Sequence, residues 1–71
     1  MTLINAREGE EYLIKAVSVD DRETEDFLFS LGCYEGEPIT VISHIKGGLV
    51  VAIKDGRYTF DKVLASEIEI G

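Results

Sequence analysis

Apolar and polar positions alternate from Glu10 to Val19, with Tyr12, Ile14 and Ala16 on one side and Leu13, Val17 and Val19 on the other. A period of two with apolar residues in both sets predicts a first strand with one face well buried and the other partly covered. Ahead of it, Leu3, Ile4 and Ala6 stand in a segment closed by Gly9, a loop expected to tuck its apolar residues against the sheet.

The period then changes. Asp20-Asp21-Arg22-Glu23 sets an aspartate three residues before a glutamate, the spacing of a reciprocal N-terminal cap, and Glu23, Glu25 and Asp26 suit the positive end of a helix dipole. A helix therefore begins near Asp21. Thr24, Leu28 and Leu31 form one stripe on it with Phe27 on the flank, whereas Phe29 lies about 130° from the stripe's centre. Gly32 and Gly36 bracket a corner at which the chain leaves the helix through a left-handed residue and enters a strand.

Beyond the corner, Ile39, Val41 and Ile45 alternate with Thr40, Ile42 and His44, and Gly47-Gly48 separates this run from Leu49–Lys54, which spells a hairpin. Asp55-Gly56 joins that run to Arg57–Phe60, the strongest short signal for a two-residue type I′ turn. Asp61 caps a single turn through Leu64 and Ala65, and Ile68-Glu69-Ile70 closes the chain as a short strand. The predicted fold is mainly β: a small, closed SH3-like barrel with a short helix after the first strand and a one-turn helix before the last. Residues 1–71 form one domain, without repeats or linkers.

Charge and cysteine content narrow the function. Fourteen acidic residues against seven basic ones give a net charge of −7, a field that repels phosphate backbones and anionic lipid, so nucleic acid is not an expected partner. One cysteine, Cys33, cannot form an internal disulfide, which together with the lack of a leader-like segment leads us to expect a cytoplasmic protein. The longest apolar runs, such as Leu49–Ile53, are far short of the roughly 20 residues that a membrane span needs.

Cys33 and His44 are the only soft candidate ligands, two where a firm transition-metal site wants three or four. Cys33 is expected to pack as a small hydrophobe and His44 to stand exposed or at a rim, opposite Ile39, Val41 and Ile45. No metal site and no cofactor is assigned, although a weak divalent-cation site completed by carboxylates stays open. There is no phosphate-binding glycine loop and no recognisable nucleophile motif, so we expect no enzyme. Protein contact remains, and Phe29, Tyr34 and Glu35 are the candidate partner-binding residues: an aromatic patch at the corner, with Phe29 covering the N-terminal loop as the competing arrangement.

Gly9, Leu28, Leu31-Gly32, Gly36, the alternating Ile39 and Val41, and the closing Ala65-Ser66-Glu67-Ile68-Glu69-Ile70, taken in order and spacing, resemble the FeoA family of ferrous iron transport proteins nearly end to end. The sequence departs from that pattern at Glu35, where proline is frequent, at Glu25 and Asp26, where basic residues are common, and in a shorter loop around Lys46-Gly47-Gly48. The resemblance implies a cytoplasmic, non-enzymatic accessory of ferrous iron uptake. Its partner would be a FeoB-type membrane transporter, met at its GTPase portion or its membrane-proximal surface. The alternative is a stand-alone metal-responsive module that binds a divalent cation; similar SH3-like domains of some metal-dependent repressors make intramolecular contacts and sometimes supply metal ligands.

Overall fold

The structure is a computed structural model that describes residues 1–71. Its elements are a 3-10 turn at Leu3–Asn5, β1 (Glu11–Val17), α1 (Arg22–Leu31), β2 (Pro38–Ile45), β3 (Gly48–Ile53), β4 (Gly56–Asp61), α2 (Lys62–Ser66) and β5 (Ile68–Ile70). The five strands form one antiparallel sheet in the order β4-β3-β2-β1-β5.

β1 makes this sheet curl. Its first half, Glu11–Leu13, pairs with β2, while Ile14, Ala16 and Val17 pair with β5, with a bulge between Ile14 and Ala16. Successive peptide groups of a strand point to opposite edges. Leu13 thus exchanges hydrogen bonds with Gly71 at 3.1 and 3.0 Å, and Ile14 does so with the other side, donating to the Glu37 carbonyl at 2.9 Å and accepting from the Gly36 N–H at 2.8 Å. The expected closure is incomplete: β4 and β5 share no ladder, because α2 stands between them and packs against both. The outer edge of β5 is covered instead by the N-terminus, through the Ile70 N–H on the Met1 carbonyl at 2.8 Å and a bridge from Thr2 to Glu69.

Inside the curl lie Ile14, Ile39, Val41, Leu49, Val51 and Phe60, with Leu3 and Ala6 of the N-terminal segment also buried, as the sequence predicts. Leu28 alone of α1 is fully buried. Phe27, expected on the flank of the buried stripe, is 54% exposed, since the helix enters the core along a narrower line than the stripe.

Two further expectations shift by one residue. A bulge between Val41 and Ser43 inverts the alternation of β2, so that His44 pairs with Leu49 and takes its face, while Ile45, expected inside with Val41, turns outward and is 44% exposed. The β3–β4 turn is Lys54-Asp55 and not Asp55-Gly56, for Ile53 pairs with Gly56. Its first residue, Lys54, carries the positive φ of 53° and Asp55 does not, whereas a type I′ turn needs positive φ at both positions. Gly47, at φ 85°, supplies the β2–β3 turn, and Gly48 belongs to β3.

Gly48 and Gly36 are glycines for different reasons. A Cβ on Gly48 would collide with the Phe60 carbonyl oxygen and lie 3.1 Å from Asp61 Cα, backbone that cannot rotate away. A Cβ on Gly36 meets nothing within 4 Å, but φ there is 91°. Gly48→Ala should therefore cost at least about 2 kcal/mol by forcing two strands apart, and Gly36→Ala only about 1 kcal/mol of backbone strain. Urea denaturation of the two variants checks the order, and equal losses would contradict it.

Candidate docking groove

α1 begins at Asp21, whose carboxylate accepts from the Thr24 N–H at 3.2 Å and from its hydroxyl at 2.7 Å. The cap is thus aspartate to threonine, one residue later than the aspartate-to-glutamate spacing in the sequence. These bonds favour the charged carboxylate, and the hydroxyl bond from Thr24 is the main cause that lowers the Asp21 pKa. From that start the helical period sets Glu25 and Phe29 four residues apart and Asp26 and Phe29 three apart, on one face.

The helix ends at Gly32 with φ 92°. The next N–H, of Cys33, returns to the Leu28 carbonyl at 2.9 Å, and the following turn closes through the Glu37 N–H on the Tyr34 carbonyl at 3.1 Å. This corner folds Tyr34 back onto the helix, where its ring stacks on Phe29 with centroids 4.7 Å apart and planes at 29°. Phe29 remains 64% exposed. The stack is with the corner, and Phe29 does not cover the N-terminal loop.

Behind Tyr34, Lys54 reaches across from the β3–β4 turn. Its ammonium pairs with Glu37 and stands 6.0 Å from the Tyr34 ring centroid. Its stem passes over Gly32, where a Cβ would come within 2.9 Å of Lys54 Cδ. The hydrogen bond to Glu37 is the main cause that raises the Lys54 pKa.

Phe29, Tyr34 and Glu35 come together along one open groove of about 520 Å³. Lys15, Ala16 and Val17 of β1 also line it, and Glu25, Asp26 and Cys33 complete it. The β1 wall and the two helix acids were missed in the sequence. The spacing of Glu25 and Asp26 from Phe29 is the signal that could have found the acids, while the proximity of β1 is a tertiary fact. Cys33 is 1% exposed, and burial pushes its thiol up to about 11, so it is a neutral, packed side chain at physiological pH.

His44 lies elsewhere. Its Nε2 is 2.8 Å from the Ala6 carbonyl, and its backbone N–H donates to Glu8 at 2.7 Å, contacts that pin the N-terminal loop to β2. A carbonyl only accepts, which makes Nε2 the protonated nitrogen. No group of three or more His, Cys, Asp or Glu side chains converges as a metal site would require.

A curled antiparallel sheet with a helical corner over one end defines a small SH3-like β domain. More particularly, the chain belongs to the FeoA family, matching the FeoA domain over residues 1–71. No curated protein matches it. Among solved structures it is similar to iron(II) transport protein A from Clostridium thermocellum, at 26% identity and a TM-score of 0.85, covering 99% of this chain and 44% of that one. The FeoA protein from Chlorobium tepidum is 18% identical with a TM-score of 0.88, covering 99% and 68%. An iron uptake regulatory protein (FeoA) is 21% identical with a TM-score of 0.81, covering 99% and 92%. The last two show a shared fold, and this chain spans less than half of the first.

The raised thiol pKa sets a pH dependence. An acid whose folded pKa lies above its unfolded value keeps its proton longer when folded, so stability falls as pH rises from about 9 to about 11. The loss should reach about 3 kcal/mol at most, and the difference between the parent and Cys33→Ala in denaturation at several pH values isolates it from other alkaline titrations. A difference independent of pH would contradict the burial of the thiol.

Proposed function

We propose that this FeoA-family chain is a cytoplasmic accessory of ferrous iron uptake that acts by docking on a FeoB-type membrane transporter, with no chemistry of its own. The family membership and the likeness to an iron(II) transport protein at 26% identity support the iron uptake setting. The observation that carries docking is the Phe29–Tyr34 stack beside a groove, in which Phe29 is left largely in water while Tyr34 is half-buried. A rigid aromatic pair with one face unburied is the kind of anchor that concentrates binding energy, because little rotamer freedom is lost when a partner covers it. No helix of the chain is long and apolar enough to cross a membrane, consistent with attachment through a partner.

The test is the affinity of the 71-residue chain for the transporter in detergent and for its isolated GTPase portion. Phe29→Ser should weaken binding at least about tenfold while leaving the unfolding midpoint nearly unchanged, since the side chain anchors a partner and not the core. Absence of binding by the parent chain, or an unaltered affinity for the variant, would overturn the proposal.

A further inference from the structure

The groove carries information about what enters it. Of its lining residues three are acidic, Glu25, Asp26 and Glu35, and one is basic, Lys15. Arg22 stands 3.9 Å from Asp26, but both side chains are well exposed and such a pair in water leaves most of the acid's attraction for another cation intact. The acids do not stand alone: Glu25 and Asp26 occupy the helix face that carries the exposed Phe29, and Glu35 follows the half-buried Tyr34 directly, so carboxylates flank both members of the aromatic stack. Apolar Ala16 and Val17 line the same groove.

We infer that this groove receives an extended protein segment bearing arginine, whose guanidinium lies over the outer face of Phe29 within reach of Glu25 and Asp26 while a neighbouring apolar side chain rests on Ala16 and Val17. This rests on the docking reading above and adds the chemistry of the partner. A guanidinium stacks on an aromatic face and bonds carboxylates through its planar fork, so both features of the groove select it over an acidic or purely apolar segment. The net charge of −7 draws such a segment in and repels nucleic acid and anionic lipid. A divalent cation is a poorer occupant, because no three ligands converge. An open groove also buries too little of a small molecule to hold it as an enclosed pocket does.

The probe is a capped hexapeptide alternating leucine with arginine, compared with the same peptide carrying citrulline, which keeps the shape and removes the charge. Titrated into the isotopically labelled chain at low salt, the arginine peptide should shift the amides of Glu25, Asp26, Phe29 and Tyr34. The citrulline peptide, or the double variant Glu25→Gln with Asp26→Asn, should bind at least about fivefold more weakly. Equal binding of the two peptides, no binding, or shifts confined to another face would overturn the inference. The transporter separates it from the docking reading. Should Phe29→Ser abolish transporter binding while the double variant leaves affinity and salt dependence unchanged, docking stands and the arginine fails. Should the arginine peptide bind in the groove while the transporter does not bind, the arginine site stands and that partner fails.

Discussion

Everything in this small domain turns on the backbone of Ile14. Through one edge of β1 it is bonded to Gly36 and Glu37 at the helical corner, through the other edge its neighbour Leu13 is bonded to Gly71, and its own side chain is buried among both halves of the sheet. A strand shared in this way cannot lie flat, and the bulge that follows completes the change of direction from β2 to β5. In a chain of 71 residues, where the core is too small to offer many independent contacts, a few backbone bonds of this kind settle the shape.

The groove inherits its rigidity from the same place. Gly36 and Glu37 are held by Ile14, Tyr34 is held by Glu37, and Phe29 is held against Tyr34, so a line of bonded or stacked groups runs from the centre of the sheet to the surface. Lys54 braces it from behind, passing over Gly32 and pairing with Glu37 at a position whose left-handed backbone is uncommon for a residue with a side chain. The groove is therefore already ordered, and under the docking proposal binding need not bear the entropy of arranging it.

Much of the fold was legible in the sequence because it depends on local chemistry. Asp61 caps α2, Gly32 and Gly36 take the left-handed region, and Ile68 and Ile70 face inward from a three-residue strand, each for a reason contained within a few neighbours. The misses share another cause. The bulges in β1 and β2, the turn at Lys54-Asp55 and the open side between β4 and β5 depend on how strands are paired at a distance, where a slip of one residue exchanges inside for outside, as Ile45 and His44 show. Phe29 announced itself as a side chain that broke the helical pattern. Its stack with Tyr34 across the glycine corner, and the β1 residues of the groove, required the corner to be folded first.

Native-state hydrogen exchange at Ile14, Gly36 and Glu37 tests most directly whether the sheet and the groove are one unit. If Ile14 joins them, these three amides exchange only in the global unfolding reaction, with the same dependence on denaturant as those of Val41 and Val51 in the central strands. Exchange of Gly36 and Glu37 through a separate, low-energy opening, while the central strands stay protected, would show that the corner moves independently of the sheet and contradict that account.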